Sequence, residues 1–509
     1  MRKKLFAVLL MTTMIISLFG CGKSGKGETS KESTSDVKRS QEEEITEDEA
    51  PLILKIIFPY VNAAPSDTET IEAALSEIAL KEINAKVKLE PIAYASWVEQ
   101  FNLVMSDSSE SVDLIFTGMT NQPLSTMVNK NYLIELDELL EEYGSELKAE
   151  LGDYIVGGKV AGVTYAVPTL RDLATSAGVM FLKSYIDKYQ IDVERIENWE
   201  DLTEVLKTIK EGEGENFAPM FLNGSQYSSL TATFSDQLGD SLGTLLAFDE
   251  SGTVVNQYAT DEYRERVELI HSWYEAGYIN KDAATTSALW QEAVQAGTVA
   301  CWPNNMKPGQ VKNQMNMCGQ ELVGVHIGTD IVTTYSLQTA MWSIPYQAQY
   351  PAKSMQLLNL MYTNADFFNT LNWGIEGTHY VKTEDGHITF PDGVDANSSG
   401  WYLNLGWVFG NQFLSYLWEG NDLDLWEQTK AFNDNAELSM AAGFVFDSSN
   451  VKNEYAACQA VKKEYVRALE TGSVGLDKLD EMNQKYEASG IQAVIREKQI
   501  QLDAFLKSE

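Results

Sequence analysis

The stretch LILKIIF at residues 52–58 predicts a buried β-strand, because it is a short apolar run rich in β-branched residues. A capping box at Ser66–Glu69 then predicts the start of a helix. The strand AKVKLEPI (85–92), a second capping box at Ser96–Glu99 and the strand VDLIFTG (112–118) follow. Strands that alternate with helices in this way are typical of a parallel sheet. The sequence therefore predicts an α/β fold that begins near residue 52.

The carboxyl ends of these strands are the first place to expect a ligand. Open parallel sheets bind ligands at the loops that follow their strands. Here Tyr60 follows the first strand, Trp97 follows the second, and Thr117 and Gly118 end the third. We therefore expect these four residues to lie at a ligand site.

The rest of the chain is too long for one hydrophobic core, so the sequence predicts at least two lobes. The pattern changes at 167–172 and again at 339–345, where we expect the chain to cross between the lobes about a hinge. The last stretch is charged and has helical periodicity. The predicted division is a signal peptide at 1–20, an anchor and tether at 21–50, lobe 1 at 51–167 and 345–390, lobe 2 at 168–340 and 391–450, and a C-terminal helical region at 451–509.

Two charged residues, Arg171 and Asp172, follow the first predicted crossing. A cleft that closes between two lobes would meet them there. A surface ion pair is the alternative interpretation. Both residues are therefore candidates for ligand binding.

The N-terminal residues have the layout of an export signal. Positions 2–4 are basic and precede the uncharged stretch Leu5–Leu18, which is too short for a membrane-spanning helix. Leu18-Phe19-Gly20-Cys21 resembles the lipobox of bacterial lipoproteins, in which the cysteine is acylated and holds the protein at a membrane. An ordinary signal peptide that contains a cysteine is the alternative. Residues 22–50 have few large apolar side chains and are predicted to form a flexible tether.

Charge and cysteine content exclude several functions. The chain has 38 basic and 74 acidic residues, a net charge of −36, and such a protein repels nucleic acid. Beyond Cys21 it has Cys301, Cys318 and Cys458, an odd number that argues against a disulfide framework and leaves a bridge between Cys301 and Cys318 open. The four histidines lie at no metal-binding spacing, so we expect neither a metal nor a cofactor.

The chain is rich in amphipathic rings, with 11 tryptophans and 23 tyrosines. Rings beside polar side chains suit sugars, whose C–H faces stack on the rings while their hydroxyls need polar partners. Core packing is the alternative for each tryptophan, since tryptophan is highly buried on average. The further ligand candidates are Trp302, Asn304, Trp342, Trp373, Glu376 and Trp407, with His379 beside Glu376. The remaining tryptophans are assigned to packing: Trp199, Trp273, Trp290, Trp401, Trp418 and Trp426.

Together these features resemble family 1 extracellular solute-binding proteins, the ligand receptors of ABC importers. The segments NWGIEGTHYVK (372–382), GWVFGNQFLSYLWEG (406–420) and the C-terminal run from Tyr465 to Leu506 further resemble the LipO-like branch, which has an additional C-terminal domain. The resemblance implies a two-lobed periplasmic-binding-protein-like fold of type II and an ABC permease as partner. It also favours Trp302, because such receptors place an aromatic residue after the strand that enters this loop.

Two functions from different classes fit the sequence. The first is a monomeric, membrane-tethered receptor on the outer face of the cell membrane, with an oligosaccharide as the expected solute and a peptide or other polar solute as the alternative. The second is a lipid-anchored glycosidase, which would need two carboxylates at a defined separation. The motifs G-x-S-x-G at Gly239–Gly243 and S-x-x-K at Ser449–Lys452 lack the context that their chemistry requires. We therefore expect binding without turnover.

Overall fold

The computed structural model describes residues 50–507 with the exception of 108, 121, 224–229, 232 and 248. The predicted signal peptide, Cys21 and the tether up to residue 49 lie outside the described residues. The folded unit begins at Pro51, close to the position that the apolar run at 52–58 predicts.

The first lobe is built on a five-stranded sheet. Its strands lie in the order Ala85–Ala93, Leu52–Tyr60, Leu114–Phe116, Met341–Ser343 and Val167–Pro168. The first three strands are parallel, and Met341–Ser343 runs antiparallel to both of its neighbours. The parallel part of the sheet confirms the fold class that the alternating strands and helices predict.

Two helices pack on this sheet because their apolar residues recur every three or four positions. Helix Thr68–Ile83 buries Ile71, Leu75 and Ala79, and helix Trp97–Ser106 buries Trp97, Phe101 and Met105. Both helices begin where the sequence predicts, but neither predicted capping box forms, since Asp67 and Ser96 make no side-chain cap hydrogen bond. The Asp67 carboxylate instead accepts a hydrogen bond from His379 Nε2 at 3.1 Å.

The second lobe contains a three-stranded antiparallel sheet with Gly178–Leu182 at its centre, between Cys301–Asn304 and Leu322–His326. Successive residues of a strand face opposite sides of a sheet. Phe181 and Cys301 therefore face one apolar core of this lobe, while Met180 and Trp302 face another. Because both faces are covered, nearly every side chain of the central strand is buried.

The segments that connect the lobes differ from the predicted crossings. Strands Val167–Pro168 and Met341–Ser343 lie within the first sheet, so 167–172 and 339–345 are not the hinge. The chain passes from the core of lobe 1 at Ala174 to that of lobe 2 at Ala177, and Thr175 pairs with Ile331 on the returning segment. The returning strand Ile331–Val332 also pairs in parallel with Glu437–Leu438. These paired segments connect the two cores.

The predicted boundary of lobe 2 at 391–450 is also wrong in part. Five residues of the segment 401–409 belong to the core of lobe 1: Trp401, Leu403, Leu405, Val408 and Phe409. Phe409 packs edge-on against Phe58 of the first strand, with ring centroids 5.1 Å apart. The apolar side chains of this segment thus pack against core residues, such as Phe58, that lie more than 300 positions earlier in the sequence.

The C-terminal region is helical, as predicted, and shares a core with lobe 2. Its helices are Lys452–Glu470, Leu476–Ser489 and Ile491–Phe505. They pack against helix Asp261–Glu275 through Tyr263 and Val267. The region is therefore part of the second lobe's packing.

The remaining elements connect these layers. The other α-helices are Leu124–Asn129, Asp137–Tyr143, Ser145–Leu151, Lys183–Tyr189, Leu202–Glu213, Trp290–Gln295, Gln310–Cys318, Thr334–Gln338, Pro351–Thr363, Ala365–Trp373 and Leu425–Asn435. Short strands form the antiparallel pairs Lys159–Val160 with Val163–Thr164, Ser235–Asp236 with Leu245–Leu246, and Val381–Lys382 with Ile388–Thr389. Short 3₁₀ segments lie at Tyr94–Ser96, Gly152–Gly158, Val193–Arg195, Gln257–Ala259, Gln412–Leu414 and Ser448–Val451.

A buried carboxyl group lies between the C-terminal helices and lobe 2. Glu470 accepts a hydrogen bond from the Tyr263 hydroxyl at 3.0 Å, and burial raises the pKa of Glu470 from 4.5 to about 7. Because the folded protein keeps a proton that the unfolded chain releases between these values, the free energy of unfolding falls as pH rises through this window.

Glu470→Gln is expected to remove that pH dependence, since the amide has no proton to lose. Between pH 5 and pH 8 the wild type should lose about 2–3 kcal/mol more stability than the variant. Urea unfolding of both proteins at the two pH values measures this difference. Equal pH dependence in the two proteins would contradict the assignment.

Candidate ligand-binding cleft

An open cleft of about 480 Å³ lies between the two lobes. One wall is the segment 307–317, which belongs to lobe 2 because Val311 and Met315 pack against a core of that lobe. The opposite wall comes from the segment 372–429, whose Trp407 packs against the core of lobe 1. A ligand in this cleft would therefore contact both lobes.

The lobe 1 wall is aromatic. Its rings belong to Trp373, Tyr402, Trp407, Tyr416, Trp418 and Trp426. The Trp373 ring packs against Trp418 and Tyr402, with centroids 5.2 and 5.9 Å away. Such contacts fix the rings relative to one another, so this wall presents a preformed apolar surface.

Trp373 owes its position to the end of helix Ala365–Trp373. The helix stops at Gly374, whose φ of +86° is a left-handed conformation that glycine adopts without strain. A side chain at Gly374 would also lie 2.7 Å from His379 Nδ1. Trp373 Nε1 then donates a hydrogen bond of 2.9 Å to Ser415 Oγ at the base of the cleft. Helix end and hydrogen bond together direct the indole into the aromatic wall.

The lobe 2 wall is rich in carboxamides. Helix Gln310–Cys318 starts after Gly309 and presents Gln310, Asn313 and Asn316 at intervals of three residues, which places them on one side of the helix. Gln314 lies on the buried side, where its Oε1 accepts a hydrogen bond from Trp302 Nε1 at 2.9 Å. Four further carboxamides line the cleft from the lobe 1 side: Asn372, Asn404, Gln412 and Asn421.

Five of the predicted site residues lie at this cleft or touch its lining. Asp172, Trp373 and Trp407 line it. Arg171 Nη1 lies 3.4 Å from Asp172 Oδ1, and the side-chain oxygen Asn304 Oδ1 accepts a hydrogen bond from Gln310 Nε2 at 3.2 Å. Their contact with a ligand stays a prediction.

The three other tryptophans that we expected at the site are core residues, which corrects the expectation. Trp97, Trp302 and Trp342 are each 0% exposed. The Trp302 ring stacks on Trp290 with centroids 4.5 Å apart, and the indole N–H groups of Trp97 and Trp342 donate to the carbonyls of Gly118 and Val408. Rings without exposed surface and with satisfied N–H groups offer no face to a ligand in this structure.

The loops after the first three strands are not part of the cleft either. Thr117 is buried with its hydroxyl 3.2 Å from Ser343 Oγ, and a side chain at Gly118 would lie 2.2 Å from the Thr339 carbonyl oxygen. The Thr117 N–H group also donates to the Met341 carbonyl oxygen of the neighbouring strand at 2.9 Å. Tyr60 packs, half-buried, against the core of lobe 1.

Glu376 and His379 also have other partners. The exposed Glu376 carboxylate forms an ion pair with Lys382 at 3.0 Å. His379 is buried, with Nδ1 accepting from the Ile375 N–H group and Nε2 donating to Asp67. These contacts hold the turn that follows Trp373.

Several residues of the cleft were not predicted. Trp418 and Trp426 were assigned to packing, and Tyr402, Tyr416, Gln310 and Asn313 were not singled out. The dense alternation of aromatic, Gly and amide residues in GWVFGNQFLSYLWEG (406–420) is the signal that could have indicated them. No helix periodicity accompanies it, so the pattern does not say which rings share a wall.

The weak catalytic motifs have structural partners. Ser241 Oγ donates to Gln237 Oε1 and accepts from Lys462 Nζ. The Ser449 hydroxyl and N–H group donate to the Asp447 carboxylate, which caps the turn Ser448–Val451. Cys301 and Cys318 are both free thiols, so the bridge left open by the sequence does not form in this structure. Within the described ranges, no three His, Cys, Asp or Glu side chains are grouped as metal ligands.

The helices of the described residues were also compared with the length and apolar character of a membrane span. None of their helices combines the length and the apolar character needed to cross a bilayer.

Comparison with protein families gives two matches. Residues 64–366 match the family described as bacterial extracellular solute-binding protein. Residues 440–507, which include the C-terminal helices, match a domain of unknown function, DUF3502.

Two known proteins are similar in sequence. A carbohydrate ABC transporter substrate-binding protein of Streptococcus pneumoniae serotype 4 is 28% identical over 455 residues, which cover 87% of this chain and 89% of that protein. Lipoprotein LipO of Bacillus subtilis is 26% identical over 258 residues, 48% of each chain.

A solved structure shares the fold over almost its whole length. The N-glycan transport solute binding protein NgtS from Streptococcus pneumoniae superposes with a TM-score of 0.75 and 26% identity, covering 90% of this chain and 99% of NgtS. NgtS in complex with Man1GlcNAc superposes with a TM-score of 0.65 at 26% identity, covering 89% and 99%. Because the family match spans more than half of the sequence and the fold has the two lobes that the family resemblance implies, the chain belongs to the bacterial extracellular solute-binding protein family.

Proposed function

We propose that this solute-binding protein captures an oligosaccharide in the cleft and delivers it to an ABC permease. The observation that carries the proposal is the pairing of an aromatic wall on lobe 1 with a carboxamide wall on lobe 2. The C–H faces of sugar rings stack on aromatic rings. Carboxamides both donate and accept hydrogen bonds, as the hydroxyl groups of a sugar require.

The similarity to NgtS supports a first choice of ligand. That protein is described in complex with Man1GlcNAc. A mannosyl-N-acetylglucosamine glycan is therefore the first class to test, and the carbohydrate transport protein of Streptococcus pneumoniae supports the same choice.

Closure of the cleft would follow from contacts on both walls. A ligand that touches the aromatic wall and helix Gln310–Cys318 together binds the closed arrangement more tightly, and so shifts the population toward it. The paired segments at Thr175, Ile331–Val332 and Glu437–Leu438 are short and lie between the two cores, which suits a hinge.

Thermal unfolding with and without glycan tests the proposal. A ligand at 100 times its dissociation constant stabilises the folded protein by about 2.7 kcal/mol. We expect mannosyl-N-acetylglucosamine glycans to raise the melting temperature by several degrees and unrelated peptides to leave it unchanged. A shift with peptides alone would contradict the sugar assignment.

Binding without turnover is part of the proposal, since the family comprises binding proteins and the weak catalytic motifs have structural partners. The bound glycan should be recovered intact after prolonged incubation with purified protein. Release of shorter sugars would favour the alternative, a lipid-anchored glycosidase.

Membrane attachment through Cys21 is proposed from the segment Leu18-Phe19-Gly20-Cys21 and is supported by the similarity to lipoprotein LipO. Cys21→Ala is expected to abolish N-terminal acylation, because no thiol remains at position 21 to accept the lipid. Mass spectrometry of the N-terminal peptide measures this. A Cys21→Ala protein that still carries covalent lipid would contradict the assignment, whereas Cys301→Ala should be acylated as in the wild type.

A further inference from the structure

The charges on the walls of the cleft are few. Among the described residues that line it, the charged side chains are Asp172, Lys307 and Glu419. Lys307 Nζ lies 2.5 Å from Asp172 Oδ2. The lining cation of lobe 2 is therefore already paired across the cleft with an anion that directly precedes the lobe 1 core residues Leu173 and Ala174, and Glu419 adds a second negative charge.

Asp172 is held between two cations. Its side chain is 21% exposed and contacts Arg171 at 3.4 Å on the side away from Lys307. Arg171 also donates to the backbone oxygens of Asp172 and Ser336, at 2.7 and 2.8 Å. Burial alone would oppose ionisation, but the two cations outweigh it and lower the pKa of the Asp172 carboxyl below its ordinary value. Asp172 is thus a carboxylate at neutral pH.

The charges that line the cleft would affect the binding of neutral and acidic sugars differently. Six of the seven carboxamides that line the cleft have exposed surface and can bind hydroxyl and acetamido groups, but they carry no charge. The seventh, Asn372, is buried and accepts a hydrogen bond from the Leu405 N–H group. A uronic acid would place its carboxylate near Asp172 and Glu419, while Lys307 remains engaged. The repulsion is strongest near the partly buried Asp172, because screening by water is weakest there.

We propose that Asp172 restricts the cleft to uncharged sugars by holding Lys307. This inference rests on the proposed function and specifies its substrate class. Asp172 acts on selectivity through the lysine that it neutralises and through its own negative charge.

Calorimetric titration with a minimal pair of ligands tests the proposal. The probes are a mannosyl-N-acetylglucosamine disaccharide and the same disaccharide with the mannose C6 oxidised to a carboxylate. Wild type is expected to bind the neutral form at least about tenfold more tightly. Asp172→Asn, which removes one negative charge and releases Lys307, is expected to reduce this preference by about three- to tenfold at low salt. The reduction should shrink in 0.5 M NaCl.

A matched control lies outside the cleft lining. Lys183 and Asp187 form an exposed pair on helix Lys183–Tyr189 with the same 2.5 Å separation. Asp187→Asn removes the same charge from the protein and releases a lysine in the same way, so it should leave the neutral-to-acidic ratio at the wild-type value. If Asp172→Asn and Asp187→Asn change the ratio of neutral to acidic affinity equally, the net charge of the protein alone determines that ratio. This result would overturn the assignment to Asp172.

A second variant covers the case in which Asp172→Asn unfolds. Lys307→Gln leaves Asp172 without its partner in the cleft and should widen the preference for the neutral sugar. The inference is overturned if wild type binds the acidic disaccharide as tightly as the neutral one, or if Lys307→Gln narrows the preference. Failure of wild type to bind either disaccharide would instead overturn the proposed function, and this inference with it.

Discussion

Trp302→Ala is expected to lower the free energy of unfolding by about 3–5 kcal/mol. The Trp302 ring is fully buried and stacks on Trp290, and its N–H group satisfies the buried Gln314 side chain. Truncation leaves a cavity, removes the ring contact and leaves an amide oxygen without its donor. Urea unfolding of the unliganded protein measures the loss.

A conservative variant separates the two contributions. Trp302→Phe keeps most of the apolar contact with Trp290 but loses the hydrogen bond to Gln314, so its loss of stability should be smaller than that of Trp302→Ala. At a temperature where Trp302→Ala is folded, its affinity for the glycan should stay close to that of the wild type. Unchanged stability together with a tenfold loss of affinity would show that Trp302 binds the ligand after all.

Lys498→Met is expected to destabilise the protein by about 3–5 kcal/mol, because it leaves a buried carboxylate without its partner. The Lys498 side chain is 0% exposed, its Nζ lies 2.6 Å from Asp240 Oδ1, and it donates to the Gly243 carbonyl oxygen at 3.0 Å. This pair joins the last helix, Ile491–Phe505, to the segment 240–243 of lobe 2. Urea unfolding of the variant measures the loss.

The partner residue provides the control. Lys498→Met combined with Asp240→Asn should recover most of the lost stability, since the neutral amide can still accept the hydrogen bond from the Leu242 N–H group. Lys183→Met, which removes the exposed pair with Asp187, should leave the unfolding midpoint close to that of the wild type. Additive losses in the double variant would show that Lys498 and Asp240 do not stabilise each other.

The elements that could be predicted are those specified by local pattern. The strand Leu52–Tyr60 and the helices Thr68–Ile83 and Trp97–Ser106 follow from apolar spacing within short windows. The capping box of the first of these helices could not be predicted in the same way, because Asp67 binds His379, more than 300 residues later in the chain. A long-range contact replaced the local hydrogen bond.

The position of a tryptophan relative to the cleft depends on which sheet faces are covered. Trp302 lies on a strand that is buried on both faces, and the core that covers it includes Trp290 and the helix Gln310–Cys318. Trp373 ends a helix at Gly374 and lines the cleft with the 6% of its surface that is exposed. Both are tryptophans beside loop residues in the sequence, so composition and spacing do not distinguish a core ring from a cleft ring.

The aromatic wall itself could be predicted only in part. Trp373 and Trp407 are candidates in the sequence because rings beside polar side chains suit sugars. Trp418 and Trp426 join them through tertiary contacts, such as the tilted contact of Trp418 with Trp373, whose ring centroids are 5.2 Å apart. The predicted crossings at 167–172 and 339–345 are wrong for a related reason. Strands Val167–Pro168 and Met341–Ser343 complete the first sheet and do not cross between the lobes. Sheet pairing between distant segments is not visible in one sequence.

The central claim is that the aromatic cleft binds the sugar, and calorimetric titration of Trp407→Ala with a mannosyl-N-acetylglucosamine glycan tests it most directly. Trp407 is half-buried at the cleft, and loss of such an aromatic contact typically weakens binding by about 2 kcal/mol, or roughly thirtyfold. Tyr335→Ala, which removes a ring that is 76% exposed and outside the cleft lining, is the control and should bind as the wild type does. The account predicts at least a tenfold loss for Trp407→Ala alone; wild-type affinity in that variant, with its fold intact, would contradict it.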